Sequence, residues 1–406
     1  MSPKINADFC VRCKGSKMLC GLKKCPIVER IKFSTRLDFG RRLIDGFTPP
    51  SSLVTERGYP HVLVGPTVSQ IEPDLPENPK FWISKDLSYI IARFSSQVYA
   101  NFRSNIRNVD DPRLEELRFS VMSYSPVGIN VELAKVPKPR VSFDGILAPI
   151  GPSAPAERIK LTENPKIPSS LERAFYDSDV KASEIIWETY NRGVDVYAIS
   201  KILSLGGLGN RARRKLVPTR WAITATDSIV GDFLRREIEY LPIYSGEVML
   251  FQSNYEGNRY LILIAPGPYM LEIVEAWMPR GLWTRGSDEP AVMLNSEIGR
   301  LGLEYMDGGH YAMRLAILEK LASMKRQAAV IAIREIGPEY YAPVGVWQVR
   351  EGMRAALRSE PLKFPELGDA MRHLKLRFDL NLLIRSLRVP KILRGWISLE
   401  GFLENP

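Results

Sequence analysis

The sequence predicts a mixed α/β (α+β) fold headed by a small four-cysteine zinc module. Two observations carry this reading. Apolar residues at helical spacing alternate along the chain with short apolar runs that read as strands. All four cysteines, Cys10, Cys13, Cys20 and Cys25, fall within sixteen residues of one another.

The cysteine spacing is Cys-x2-Cys-x6-Cys-x4-Cys. Disulfide frameworks spread cysteines through a secreted fold, whereas clustered thiols at short spacing suit a metal. A structural zinc site takes four thiolates in a closed tetrahedron. Lys14, Lys17, Lys23 and Lys24 surround the cluster and would offset the negative charge of a zinc tetrathiolate. An iron–sulfur cluster is the alternative occupant. A closed site of this kind is structural, and here it would organise a basic module, residues 1–26, able to touch DNA or a protein partner.

The 406 residues, 45% of them hydrophobic, can bury a large core across roughly two or three domains. No run approaches the ~20 apolar residues of a membrane span. The best candidate, Tyr260 to Ala265, stops at Pro266-Gly267, with Glu272 and Glu275 beyond. Met1-Ser2-Pro3-Lys4 opens no apolar signal segment. The expectation is a non-membrane, cytoplasmic, nucleoid-associated protein.

The formal net charge is +10, and it is unevenly placed. Residues 4–42 hold eleven Lys/Arg against Asp8, Glu29 and Asp38, and residues 311–394 hold sixteen against eight acidic residues. Two basic ends and an acidic remainder suggest a polyanionic partner, most commonly nucleic acid.

Taken in order, Ile27 to Gly46 reads as a short basic helix or turn. Asp86 to Asn108 reads as a long amphipathic helix, with Ile90, Ile91, Phe94, Val98 and Phe102 near one face. Asp111-Pro112 is a cap followed by proline, opening a helix to about Met122. Ile129 to Val136 alternates like a strand. From Pro137 to Pro168 seven prolines mark a linker or a long ordered loop. Helices resume near Leu171 and Ser183, the second ending at Gly193, and a third runs from Val196 to Leu205 before Gly206-Gly207. Gly246 to Pro266 reads as a hairpin turning through Glu256-Gly257-Asn258. Tyr311 to Gln327 reads as a helix and Ala328 to Ile333 as a buried strand.

Three constellations carry possible chemistry. Arg211, Arg213, Arg214, Lys215 and Arg220 crowd ten residues just before Trp221, a pattern suited to phosphate contact with base stacking. Glu304, Asp307 and His310 are spaced by three, so a helical segment would bring them to one face as divalent-metal ligands of a nuclease-like site. A plain N-terminal turn before the helix is the alternative. Gly207-x-Gly-x-x-Ala212 follows a helix rather than a strand and is not a dinucleotide loop. At the C-terminus, Trp396, Leu399, Phe402 and Leu403 occupy positions 1, 4, 7 and 8 of an octamer, the spacing of a one-turn helical plug for an apolar groove. This resembles the motif by which replication and repair proteins bind the sliding clamp PCNA, with Trp396 in place of the usual Gln and Leu403 in place of the second aromatic.

The chain as a whole resembles the archaeal Nre family of DNA repair proteins. The resemblance rests on the cysteine cluster, on Lys215-Leu-Val-Pro-Thr-Arg-Trp221-Ala-Ile-Thr-Ala-Thr-Asp227, and on Asp307-Gly-Gly-His310-Tyr311. It continues through Tyr340-Tyr341-Ala-Pro-Val-Gly-Val-Trp-Gln-Val-Arg350 to the tail. It implies DNA damage repair in partnership with PCNA through the C-terminal motif. The expected organisation is a zinc module (1–26), a main α/β domain of the Nre N-terminal type (27–290), a basic C-terminal domain (291–394) and a PCNA-binding tail (395–406). The leading expectation is a repair factor that binds DNA. The alternatives are a metal-dependent nuclease or other phosphodiesterase acting on damaged DNA, and an RNA-binding zinc protein.

Overall fold

A computed structural model describes residues 7–14, 19–21, 25, 41–138, 141–299, 307–374, 376–377 and 386–395. The chain packs into two compact units. Unit I is residues 31–230 with 343–347, and unit II is residues 1–30, 231–342 and 348–406. Among the described residues no helix is long and apolar enough to cross a membrane. The first described element, in unit II, is helix α1 (Ala7–Cys13), which carries Cys10 and Cys13.

Unit I is built on a six-stranded sheet. In chain order its elements are β1 (Leu43–Thr48), β2 (Ser52–Val54), β3 (His61–Val68), α2 (Leu87–Ser95), β4 (Val98–Asn105) and α3 (Pro112–Met122). Then come β5 (Val127–Leu133), β6 (Ser153–Leu161), α4 (Ser169–Tyr176), α5 (Ala182–Asn191), α6 (Val196–Ser204) and α7 (Thr219–Ile238). The strand order is β1-β5-β6-β4-β3-β2, with only β4 and β6 parallel. Gly65 lets β3 close on β4, since a Cβ there would lie 1.8 Å from the Ala100 carbonyl oxygen.

Aspartates start the helices where the sequence signals them. Asp86 accepts from the Tyr89 amide, Asp111 from Arg113, and Asp195 from Tyr197 and Ala198. The boundary between the units falls within α7.

Two expectations are corrected in unit I. The helix read from Asp86 to Asn108 ends at Ser95, and its second half is strand β4. The Ser95 and Ser96 hydroxyls bond back to the carbonyls of Ala92 and Arg93, ending the helix. Beyond them, Val98, Tyr99 and Phe102 carry the branched and aromatic side chains that favour a strand. Their helical spacing was coincidental. The proline-rich stretch from Pro137 to Pro168 is not loop throughout, because β6 lies inside it and pairs with β4 and β5. Of the span Ile27 to Gly46, residues 26–40 lie outside the described residues, and β1 begins at Leu43.

Unit II holds the second six-stranded sheet. Its elements are β7 (Val248–Tyr255), β8 (Asn258–Ala265), β9 (Met270–Trp277), β10 (Ala291–Ile298), α8 (Gly308–Met324) and β11 (Ala329–Ile336). They are followed by α9 (Trp347–Arg358), β12 (Leu362–Phe364) and α10 (Leu367–His373). The order is β10-β9-β11-β8-β7-β12, with β9 and β11 parallel. β7 and β8 form the expected hairpin. Glu256 (φ 47°) and Gly257 (φ 78°) both take the left-handed region that a tight two-residue turn requires.

Every residue of β9 and β11 is buried, so alternation sorts their side chains onto two covered faces. One face is apolar. It joins Leu250 and Leu263 of the hairpin to Met270, Val274, Ile331 and Ile333, and beneath them Met371, Leu387, Val389 and Leu393. On this face Glu272, fully buried, accepts from the amides of Arg388 and Val389, each at 2.8 Å, and so caps the helical residues 389–395. The opposite face carries Glu275 and Arg334 among apolar side chains such as Ile273 and Trp277, and it holds the site described next.

Candidate functional site

The charged pair on this face follows from strand register. Arg334 on β11 lies directly opposite Glu275 on β9, with Tyr260 of β8 opposite on its other side. On β10, Asn295 and Glu297 share a face because they are two residues apart. α8 starts over this face at Asp307, whose Oδ1 accepts from the Gly309 and His310 amides. His310 Nδ1 lies 3.0 Å from Asp307 Oδ1, and its Nε2 lies 2.8 Å from Asn295 Nδ2. An amide donor at Nε2 assigns the ring proton to Nδ1, which then donates to Asp307.

The ligand atoms of Glu275, Asp307 and His310 all lie within 4.8 Å of one another, a set able to hold a cation. Two side-chain cations already face it. Lys14 Nζ is 2.6 Å from Asp307 and 3.1 Å from Glu275, and Arg334 Nη1 is 2.6 Å from the other Glu275 oxygen. Burial would lift both carboxyls, but Lys14 and its neighbours hold Asp307 well below, and Glu275 below, the usual carboxylate range. The Lys14 ammonium also lies 5.4 Å over the Trp277 ring. The arrangement is a closed ion-pair network, in which opposed charges balance. One turn along α8, Arg314 makes a second such pair with Glu297 at 2.7 Å.

Of the residues read as a possible metal triad, Asp307 and His310 do come together. Glu304 lies outside the described residues. Glu275, noted from the sequence only as a charge ending an apolar run, stands with them instead. It was hidden because its neighbours come from strand β11, from the start of α8 and from the residue after Cys13.

Cys10 and Cys13 sit one turn apart on α1, Cys20 is exposed, and all four thiols are free of disulfides. Burial and the charges of Cys25, Cys13 and Cys20 push the Cys10 thiol up to about 11. Lys14 (φ 48°) and Gly21 (φ 73°) take left-handed backbone beside this set.

The basic stretch in unit I divides into two kinds of residue. Arg211, Arg213 and Lys215 are exposed. Arg214 is turned to internal work, donating to the carbonyls of Gly209, Phe175 and Asp177. Arg220 pairs with Glu56 at 2.6 Å and, more distantly, with Asp144. Trp221, 45% exposed on α7, donates its indole N–H to Glu56 and packs on Tyr59, also 45% exposed, at 5.3 Å between ring centres. Arg57 is exposed beside them. Sequence reading found Trp221 but not Tyr59 or Arg57. The tail residues Trp396, Leu399, Phe402 and Leu403 lie outside the described residues.

Two sheets, each in its own unit, with a four-thiol segment ahead of them define a two-unit α/β protein. Comparison with known proteins places it further. The family described as Archaeal Nre, N-terminal, matches residues 19–284, and Archaeal Nre, C-terminal, matches residues 296–401. The chain is 40% identical over 368 residues to a protein named DNA repair protein NreA from Archaeoglobus fulgidus, covering 89% of this chain and 92% of that one. It is 34% identical to DNA repair protein NreB of the same organism, covering 92% and 94%. It is 32% identical to DNA repair protein NreA of Haloferax volcanii, covering 80% and 81%. This chain belongs to the archaeal Nre family. No solved structure matches it.

Proposed function

We propose that the protein is a DNA repair factor that binds DNA through unit I and is brought to it by the sliding clamp PCNA. The repair role is supported by the names its relatives carry over nearly their whole length. The observation that carries the DNA reading is the exposed Tyr59–Trp221 pair, with the exposed cations Arg211, Arg213 and Lys215 shortly before Trp221 in the chain. Solvent-facing aromatics with unpaired bases to stack on, and cations for phosphates, are what single-stranded DNA requires. Arg214 and Arg220 hold the loop and helix that present them.

In this reading Cys10, Cys13, Cys20 and Cys25 would hold one structural zinc ion, a role supported by four free thiols within sixteen residues. The zinc would fix the segment from which Lys14 reaches Glu275 and Asp307. The clamp contact would be made by Trp396, Leu399, Phe402 and Leu403. They follow a helix that Glu272 and the apolar face anchor, a firm base for a tether.

The test measures binding of labelled single-stranded DNA to the wild type and to Trp221→Ala. Loss of one stacked base should weaken binding at least about fivefold. Equal affinity with an unchanged melting midpoint would remove Trp221 from the interface. For the clamp, calorimetric titration of PCNA with the full chain and with a chain ending at Gly395 should show binding lost on truncation. Equal binding would move the contact elsewhere.

A further inference from the structure

Unit I contains a cavity of about 410 Å³, away from the residues assigned above. It lies between the residues before α2, the end of α3, the start of α4 and the start of α6, and its volume is that of a small-ligand site. Two aromatics line it while remaining open to solvent, Tyr124 at 67% and Phe81 at 43% exposed. Water-facing aromatics at a concave surface are an offer of stacking area rather than of core packing.

The cationic lining residues are the exposed Lys80 and Arg192 and the deeper Lys201. Lys201 donates from Nζ to the carbonyls of Pro50 (2.7 Å) and Glu77 (3.2 Å), and no carboxylate of the described residues lies within ion-pair distance of it. An ammonium has three N–H donors, so one remains for a ligand. Burial pulls this lysine below its ordinary range, with Glu77 and Asp195 opposing, which is the behaviour of a cation short of a counter-charge. Arg192 also lines the cavity, bonded on one side to Glu188, and Lys80 lies 4.8 Å over the Phe81 ring. The two acidic lining residues are engaged elsewhere. Glu77 pairs with Arg93 at 3.1 Å, while Asp195 caps α6 and accepts from Asn78. Finally α4 follows Pro168 with no side-chain cap, and its first turn, which also carries Glu172, lines the cavity at Ser170 and Leu171.

Two exposed aromatics lining one cavity with a lysine, an arginine and an uncapped helix start match one chemical unit, a planar base joined to a phosphate. We propose that this cavity binds a single nucleotide unit, its base stacked on Tyr124 or Phe81 and its phosphate held by Lys201 and Arg192. The inference deepens the DNA reading above by giving one unpaired nucleotide a pocket distinct from the Tyr59–Trp221 surface. The same chemistry belongs to a free mononucleotide, and the two sources are separable.

The experiment uses the full chain, with thymidine monophosphate and a short oligothymidylate bearing one 5-iododeoxyuridine as probes. Irradiation joins the iodinated base to an aromatic stacked on it, and mass spectrometry should place the link at Tyr124 or Phe81. Tyr124→Ala, exposed enough to leave folding intact, should weaken the oligonucleotide at least about fivefold. Competition by the monophosphate for the crosslink identifies a free-nucleotide site, and crosslinking without competition identifies an unpaired nucleotide of a strand. Both results support the pocket. Crosslinks confined to Trp221 or Tyr59, with Tyr124→Ala and Arg192→Ala binding like wild type, would overturn it and leave the DNA reading standing. Absence of binding by both the oligonucleotide and thymidine monophosphate in every form would overturn both.

Discussion

Replacing Lys14 by Met probes the ion-pair site of unit II. The ammonium meets Asp307 at 2.6 Å and Glu275 at 3.1 Å, against carboxylates whose side chains are 8% and 0% exposed. Removing one partner of a buried pair costs about 3–5 kcal/mol, because it strands the other charge. Two partners remain, however. Arg334 still holds Glu275 at 2.6 Å and His310 still holds Asp307 at 3.0 Å. The loss should therefore fall at the low end, about 3 kcal/mol. With two compact units a single unfolding free energy is poorly defined, so hydrogen exchange of β9 and β11 is the better readout. A loss of about 3 kcal/mol corresponds to roughly a hundredfold faster exchange at amides that open only with unit II. Adding Asp307→Asn removes part of the stranded charge, so the double variant should fall short of the additive loss by roughly 1 kcal/mol or more. Exchange in Lys14→Met within about threefold of wild type would refute the reasoning, since Lys14 would then not be docked between the two carboxylates.

Three further outcomes are expected. Burial would raise the Glu297 carboxyl, but Arg314 holds it below its ordinary range. A depressed carboxyl stabilises above its unfolded value of about 4.3 and loses that stabilisation as pH falls through the folded value. Glu297→Gln should therefore lower unit II's melting midpoint at neutral pH and flatten its acid limb, and an unchanged profile would contradict this. Glu272→Ala deletes the cap on the amides of Arg388 and Val389, and should cost the helix at 389–395 about 1–2 kcal/mol, read as faster exchange there alone. Elemental analysis should find one zinc per chain, lost in Cys13→Ser and accompanied by weaker protection of the Lys14 contact region. Iron with a visible absorption band would instead indicate a cluster.

Much of the fold was legible because the local signals agreed with the global structure. The aspartate cap at Asp111, the Glu256-Gly257 turn and the apolar spacing of α8 each have local causes, and each appears where the sequence placed it. β4 was not legible, because Val98 and Phe102 fit a helical stripe as well as they fit a strand, and only the serines before them decide. β9 was missed for a different reason. Glu272 and Glu275 break the look of a buried strand, yet their odd spacing sends them to opposite faces, where backbone amides receive one and Arg334 and Lys14 receive the other. Burial of such charges depends on partners far off in sequence, which no window reveals. The same holds for the candidate surfaces. The cations before Trp221 could be counted, but which of them face solvent depended on carbonyls of Gly209, Phe175 and Asp177 and on Glu56.

The most direct test of DNA binding through unit I is the salt dependence of oligothymidylate affinity, for the wild type and for the combined Arg211→Ala, Arg213→Ala, Lys215→Ala variant. Each phosphate neutralised on a single strand contributes about 0.7 to the slope of log affinity against log salt, so three lost contacts should reduce the slope by about 2. A steep wild-type slope that falls by this amount is the expected result. A slope that is flat in the wild type, or identical in the two proteins, would contradict the claim that these exposed cations hold DNA.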